Sequence, residues 1–276
     1  MATDTVVSRG YLAPVDGVRG RVRATFDRCA YVAVDGGPAL VLHADGRDHT
    51  PTSLCPATWP PASSAVAVGD AVCGRAGHLK VGDLVLDVRG ARVWRPAGSP
   101  VVSTTTVSDA RGIGAVHYLA LRAANRRTGG LVFALERALA ARDAERVTDG
   151  VASLVGRGPG LTPSGDDVLV GMLAVLHRLA SAGGGSHAQL LRPAAAAHLD
   201  RTGDISAHYL GLAVAGHFGE RLVALCDALS GGEREDVTVA AAAVVATGAT
   251  SGSDALLGAV IGLRLIAATR AAGIAA

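Results

Sequence analysis

The chain of 276 residues is long enough for one large domain or two ordinary ones. Hydrophobic residues make up 49% and charged residues 18%, which predicts a sizeable core and excludes wholesale disorder. Aromatic residues make up only 3%, and the net charge of +2 comes from dispersed basic residues, so nucleic-acid binding has little support.

Up to about residue 100 the sequence predicts short β-strands. Residues 18–26 alternate between apolar and polar side chains, residues 30–34 predict a second strand, and Asp35-Gly36-Gly37 is a strong hairpin signal. Further strands are predicted at residues 39–42, 65–68, 71–74, 84–88 and 91–94. Many short strands at close spacing are typical of a small β-barrel or sandwich, which we place at residues 1–100.

Residues 96–106 resemble a linker, and beyond residue 112 alanine and leucine recur at helical spacing. Leu119, Ala123, Leu131, Leu135 and Leu139 predict two helices broken at Gly129-Gly130. Later helices are predicted at residues 164–182, 189–199, 205–216, 220–230, 236–246 and 254–272. The predicted fold class is therefore α+β, with an all-α helical-bundle domain at residues 101–276.

Cysteine usage and the apolar segments point to a cytoplasmic protein. The four cysteines form no CxxC pair, so reduced thiols are expected rather than a zinc site. The first ten residues lack the apolar stretch of a signal peptide. Apolar runs near the C-terminus are amphipathic or interrupted by glycine, which predicts a soluble chain.

The densest chemistry lies at residues 156–167, Gly-Arg-Gly-Pro-Gly-Leu-Thr-Pro-Ser-Gly-Asp-Asp. Glycines let a ligand approach the main chain closely, and Pro163 suits the first turn of a helix that Thr162 or Ser164 can cap. The start of a helix has unpaired amides and a partial positive charge, so it attracts anions. The segment therefore predicts a binding site.

An internal repeat extends this prediction. Residues 164–171 align with residues 251–258 without gaps and match at five of eight positions. Each copy has Ser-x-x-Asp, a spacing that fits a capping box, and a glycine four residues after the aspartate. Two well-capped helices in an alanine-rich bundle would explain the pattern. Alternatively, both helix starts face one pocket and bind an anion together, which the three leading glycines favour.

A third polar segment, residues 201–206, also begins a predicted helix. Its Arg201 can grip a carboxylate or phosphate in a bidentate manner. The glycine spacing is neither that of a Rossmann fold nor that of a Walker loop. Asp166 and Asp167 are candidate ligands for Mg²⁺, although adjacent helical residues point about 100° apart. Ser164 lacks an assignable base, so capping is its expected role.

These motifs closely resemble the signature of the AllH family, formerly a bacterial domain of unknown function. The resemblance rests on residues 156–167, on residues 202–216 with Thr202, Ile205, Ser206 and Tyr209, and on residues 250–254. It implies a subunit of oxamate carbamoyltransferase in anaerobic allantoin and purine-nitrogen degradation. That enzyme interconverts oxalurate plus phosphate with oxamate plus carbamoyl phosphate. It also implies partner subunits, one of them similar to succinyl-CoA synthetase. Gly203 stands where the resemblance leads us to expect a second threonine.

The predicted site follows from the motifs and the resemblance together. Helix-terminal amides would stabilise the oxyanion of carbamoyl transfer, with Arg201 or Arg157 adding charge. The predicted catalytic residues are Asp166, Asp167 and Asp254. The predicted substrate-binding residues are Gly158, Gly160, Thr162, Ser164, Gly165, Arg201, Thr202, Ser206, Ser251 and Gly252. No metal ligand is assigned, and Mg²⁺ remains a candidate cofactor. The alternatives are a non-catalytic assembly or anion-binding subunit and a metal-dependent hydrolase built on the aspartates.

Overall fold

The computed structural model describes residues 2–44, 48–59, 66–98, 129–231 and 233–274. The chain divides after Pro96 into two compact units, Met1–Pro96 and Ala97–Ala276. The predicted linker beyond residue 98 and the predicted helix with Leu119 and Ala123 lie outside the described residues.

The first unit is a closed β-barrel with an extra strand. The described strands are β1 (Ala2–Gly10), β2 (Arg19–Phe26), β3 (Cys29–Val34), β4 (Leu40–His43), β5 (Ser53–Pro56), β6 (Ala71–Arg75), β7 (His78–Val81), β8 (Leu84–Asp87) and β9 (Arg92–Trp94). Their order is β5-β4-β3-β2-β6-β7-β8-β1-β9, and β1 also pairs with β5. The ring therefore has eight strands, and β9 pairs with β1 outside it.

The long strand β1 closes the ring because it pairs on both edges. Its first half runs parallel to β8, from Ala2 opposite Leu84, and its second half runs antiparallel to β5. Alternate side chains of β6 to β8 are buried, and the interior is filled by Val22, Val32, Leu40, Leu42, Leu54, Val72, Leu79 and Leu86. This alternation is the period-two pattern that a pleated strand with one buried face requires.

The strand predictions hold for part of the barrel. Strands were expected near β2, β3, β4, β6, β8 and β9, whereas β1, β5 and β7 were not anticipated. The strand predicted at residues 65–68 is wrong for its described part, since residues 66–68 lead into a turn. Val68 is 64% exposed there, so its apolar side chain does not mark a barrel face.

The second unit is helical in its described part. Its α-helices are α1 (Gly129–Ala140), α2 (Ala144–Leu154), α3 (Ser164–Arg178), α4 (Gly185–Ala196), α5 (Asp204–Ala215), α6 (Glu220–Gly231), α7 (Arg234–Val245) and α8 (Ser251–Ile274). The helix predicted to reach residue 182 ends at Arg178 and is followed by a 3₁₀ turn at Ala180–Ala182. A barrel followed by helices confirms the α+β class, with a barrel rather than a sandwich.

Helices α3 and α8 form the centre of the helical unit. Between Val168 and Leu176, α3 is buried on almost every side, and α8 is buried from Ala255 to Leu263. By length and composition alone, Ser251–Ala272 could cross a membrane, but 61% of its most apolar window is buried within the protein. That burial is typical of the core helix of a soluble protein. The cellular location stays a prediction.

Glycine brings the backbones of α3 and α8 into direct contact. A Cβ atom built at Gly171 would overlap the carbonyl oxygen of Ala255 on α8. Reciprocally, a Cβ at Gly258 would overlap the carbonyl oxygen of Val168 on α3. Gly171 and Gly258 occupy the same position of the internal repeat, and so do Val168 and Ala255. The two helices are therefore related by a local pseudo-twofold arrangement.

We expect Gly258→Ala to destabilise the protein by roughly 1–3 kcal/mol or more, because the methyl group would force two packed backbones apart. Urea denaturation of the purified chain measures the change. The matched control is Gly211→Ala in α5, where a Cβ would lie 3.8 Å from the Leu199 Cδ1 atom. Alanine there should be neutral or stabilising by up to about 1 kcal/mol. Equal effects of the two substitutions would contradict the close contact.

Candidate functional site

The glycine-rich loop joins α2 to α3 and depends on backbone angles that glycine tolerates. Gly156, Gly158 and Gly160 have φ values of 72°, 128° and 94°. These lie in the left-handed region, which side chains disfavour. Gly156 also packs against the main chain of Arg201, since a Cβ there would lie 2.6 Å from the Arg201 carbonyl oxygen. The loop is thus held against the segment that leads into α5.

Asp166 ties three parts of the chain together. Its side chain is 1% exposed, and its Oδ1 accepts a 2.9 Å hydrogen bond from the Gly156 N–H. Its Oδ2 accepts hydrogen bonds from the Thr202 hydroxyl at 2.5 Å and the Ser206 hydroxyl at 2.6 Å. A buried carboxylate needs such donors to offset its lost hydration. Asp166 therefore anchors the loop to α5.

The two Ser-Gly-x-Asp helix starts face each other. The Ser164 hydroxyl of α3 lies near Asp254 of α8 and lowers its pKa, and the Ser251 hydroxyl of α8 acts in the same way on Asp167 of α3. Thr162 also reaches Asp167, and its Oγ1 lies 2.8 Å from the Ser251 Oγ. Each serine thus lies near the aspartate of the other copy. The predicted convergence of the two helix starts is present.

The expected capping roles are wrong for the first copy. The N-cap position of α3 is Pro163, which makes no side-chain cap hydrogen bond, and the helix begins at Ser164. Ser164 is consequently inside the helix, and its hydroxyl lies near Asp254 of α8. Pro163 instead contributes its carbonyl oxygen, which accepts hydrogen bonds from the N–H groups of Asp166 and Asp167.

The glycines of the two serine-glycine pairs let each helix start approach the end of the preceding helix. A Cβ at Gly165 would overlap the Leu154 carbonyl oxygen, and a Cβ at Gly252 would overlap the Val244 carbonyl oxygen. The Gly165 N–H donates to the Arg157 carbonyl oxygen at 2.9 Å, and the Gly252 N–H donates to that of Thr247 at 2.8 Å. Both predicted binding glycines therefore have their amides paired within the chain.

The carboxyl groups at the helix starts are held in a costly environment. Burial raises the pKa of Asp167 to about 7, and the nearby charges of Asp254 and Asp166 act in the same direction. The Ser251 and Thr162 hydroxyls partly offset that rise. Burial also raises the pKa of Asp254, which the Ser164 hydroxyl partly offsets. Near neutral pH, Asp167 therefore exchanges a proton readily.

The remaining predicted residues lie around this centre. Arg157 and Arg201 are exposed, and Gly158 and Gly160 form the exposed part of the loop. In α5, burial lowers the pKa of His208 to about 4, so its ring is neutral at physiological pH. Among the residues that the structure describes, no group of three or more His, Cys, Asp and Glu side chains could hold a metal ion.

Sequence reasoning missed that the serine of each Ser-Gly-x-Asp copy lies near the aspartate of the other copy. The signal that could have revealed it is the repeat itself. If two identical motifs meet in a symmetric contact, a donor and an acceptor three residues apart can pair between copies as well as within one. Only the close approach at Gly171 and Gly258 decides between these possibilities.

One family model matches most of the helical unit. Residues 154–263 match the family model described as oxamate carbamoyltransferase subunit AllH. This match confirms the resemblance found in the motifs. It covers the glycine-rich loop from Gly156 and both Ser-Gly-x-Asp helix starts. No solved structure matches the chain.

We expect Thr202→Val to destabilise the fold by roughly 1.5–3 kcal/mol, because it removes a donor to the buried carboxylate of Asp166. Urea denaturation measures the change. The matched control is Thr148→Val in α2, whose exposed hydroxyl donates only to the Ala144 carbonyl oxygen of its own helix. That substitution should stay within about 0.5 kcal/mol. If the two substitutions had the same effect, Asp166 would not anchor the loop to α5.

We expect Asp167→Asn to stabilise the isolated chain above pH 7. An aspartate whose pKa rises on folding binds its proton more tightly in the folded state. Its contribution therefore becomes less favourable as pH rises from its ordinary pKa of 3.8 to about 7. Asparagine removes that cost, which is on the order of a few kcal/mol.

The measurement is the difference in unfolding free energy between Asp167→Asn and the unsubstituted chain, from about pH 5 to about pH 8. The difference is needed because burial lowers the pKa values of His177, His187, His208 and His217. Because these pKa values are lowered, the histidines make the protein less stable as pH falls. This trend is opposite to the one expected from Asp167. The control, Asp149→Asn, changes an exposed carboxylate on α2. A difference that does not grow with pH would contradict the raised pKa.

Proposed function

We propose that this chain is a subunit of a carbamoyltransferase of the oxamate or oxalurate type. In this proposal the paired starts of α3 and α8 bind the small anionic substrate. The observation that carries it is the reciprocal proximity of Ser164 to Asp254 and of Ser251 to Asp167, within the residues that match the AllH family model. Two copies of one motif converge there, although each helix could have been capped separately.

The anionic end of the substrate would lie at the exposed side of the loop. The positive ends of the two helix dipoles favour a carboxylate or phosphate there. Exposed Arg157 and Arg201 would add charge, since a guanidinium group grips such anions with two hydrogen bonds. Asp166 would take no part in the chemistry, because three donors of the chain already occupy its oxygens. We assign it a positioning role.

The chemistry of carbamoyl transfer suits this arrangement. The amide nitrogen of oxamate attacks the carbonyl carbon of carbamoyl phosphate and forms a tetrahedral oxyanion, which helix-terminal dipoles stabilise. The C–O bond to phosphate then breaks, and oxalurate and phosphate result. The nitrogen loses one proton, for which Asp167 is the proposed acceptor. A pKa of about 7 suits a general base at neutral pH.

Partner subunits are part of the proposal. The family is that of one subunit of oxamate carbamoyltransferase, so we propose that transfer requires the other subunits, including one similar to succinyl-CoA synthetase. This chain would supply a binding site, and its partners would complete the reaction.

One observation favours the rival proposal of a non-catalytic assembly subunit. Leu161, in the glycine-rich loop, has an apolar side chain that is 49% exposed. Gly158, Pro159 and Gly160 beside it are also exposed. An exposed leucine among glycines and proline offers a partner subunit an apolar contact. In this case the loop would dock a protein and bind no small anion.

Two alanine substitutions in the loop test the proposed anion site. A Cβ at Gly158 would lie 2.7 Å from the Ser164 amide nitrogen, whereas a Cβ at Gly160 would meet no atom within 4 Å. Both glycines have positive φ, so both substitutions introduce strain. Only Gly158→Ala obstructs the start of α3. We expect it to weaken the binding of phosphate, oxamate and carbamoyl phosphate by roughly tenfold or more, as with the loss of one charge-assisted contact.

Isothermal titration of the isolated chain measures this binding, with Gly160→Ala as the control. A chain that binds none of the three anions would contradict the anion site and favour the assembly role. The catalytic part is tested separately in the assembled enzyme. If Asp167→Asn left carbamoyl transfer by that complex unchanged, Asp167 would not be the base.

A further inference from the structure

The Asp254 side chain is buried without the donors that a carboxylate requires. It is 1% exposed, and neither oxygen makes a hydrogen bond of regular geometry among the described residues. The Ser164 hydroxyl lies near it and lowers its pKa. The Oδ2 of Asp167 is likewise buried without such a bond among these residues. Three carboxylate oxygens between the two helix starts are therefore left to accept hydrogen bonds.

This arrangement differs from that of Asp166, one position before Asp167. Asp166 is equally buried but accepts from one backbone N–H and two hydroxyl groups. The chain thus gives Asp166 three hydrogen bonds of regular geometry, whereas Asp254 at the helix junction has none among the described residues. A buried acceptor without a partner costs about 1–3 kcal/mol or more. Such a cost is tolerated at sites where a ligand provides the missing donor.

We infer that Asp254, together with Asp167, accepts the hydrogens of the primary amide group of the substrate. This inference rests on the proposed function and makes it more specific. Oxamate and carbamoyl phosphate both carry an –NH₂ group on a carbonyl carbon, and that group has two donors. The carboxylates lie at the junction of two helix starts whose dipoles attract the anionic end of the same molecule.

In this arrangement the cationic groups and the carboxylates have separate roles. The helix dipoles and the exposed arginines attract any small anion, and the carboxylates select those anions that carry an amide. A buried site built for N–H donors rejects an analogue without them, because its acceptors then stay unpaired. Asp254 is accordingly a specificity-determining residue. Ser164 is a positioning residue, since it acts through Asp254.

Pyruvate and oxamate provide the test, because they have the same charge and nearly the same shape. A methyl group in pyruvate replaces the –NH₂ of oxamate. We expect the unsubstituted chain to bind oxamate roughly ten- to a hundredfold more tightly than pyruvate, the effect of losing hydrogen bonds to charged acceptors. In Asp254→Asn this ratio should fall by about tenfold. Phosphate binding should not weaken, because a negative charge is removed.

Isothermal titration with oxamate, pyruvate and phosphate measures all three affinities. Asp149→Asn is the control, since it makes the same chemical change on the exposed face of α2. Equal binding of oxamate and pyruvate by the unsubstituted chain overturns the inference and needs no folded variant. A gain in oxamate affinity in Asp254→Asn overturns it as well, because Asp254 would then only repel anions.

The failure of the proposed function has a different signature. In that case the unsubstituted chain binds neither phosphate nor oxamate. If phosphate binds and oxamate does not, the anion site stands and the amide-reading role of Asp254 is lost. If Asp254→Asn fails to fold, Asp167→Asn is the second variant, and the same fall in the oxamate-to-pyruvate ratio is expected.

Discussion

The rest of the helical unit depends on the direct backbone contact between α3 and α8. Gly171 and Gly258 allow this contact because any side chain there would overlap a carbonyl oxygen of the facing helix. Interiors are packed too densely for such an overlap to be absorbed. The contact brings the two helix starts together, so that each serine lies near the aspartate of the other helix. A packing constraint seven residues into each helix thus shapes the surroundings of the carboxylates at its first turn.

Neighbouring carboxylates acquire opposite properties from this packing. Adjacent positions of a helix point about 100° apart. The Asp166 side chain therefore faces the loop and α5, whereas Asp167 faces α8. Donors surround Asp166, and its carboxylate stabilises the fold. Burial, together with the nearby carboxylate of Asp254, raises the pKa of Asp167 to about 7. Strongly perturbed pKa values of this kind cluster at functional sites.

Much of the fold was predictable because local patterns carry it. Most helices of the second unit were anticipated from alanine and leucine at helical spacing, with errors of a few residues at their ends, but α2 (Ala144–Leu154) was not. In the barrel, β2 alternates clearly between polar and apolar residues. β7 alternates too, but over only four residues, and β1 has no regular alternation. The Ala2–Gly10 segment is rich in polar residues and becomes a strand because β5 and β8 hold its edges. Pairing between segments distant in the chain leaves little trace in either segment.

The amino-acid sequence by itself determined which segments form the candidate site. The three glycines, the repeated Ser-Gly-x-Asp and residues 201–206 were all identified from residue types and spacing. It could not decide which side chain meets which, since Ser164 and Asp167 have the spacing of a capping box within one helix. Only the tertiary structure placed Ser164 near Asp254 and Ser251 near Asp167. The physical reason is that the close approach of two backbones, set by glycines far apart in the chain, chooses between partners that are chemically identical.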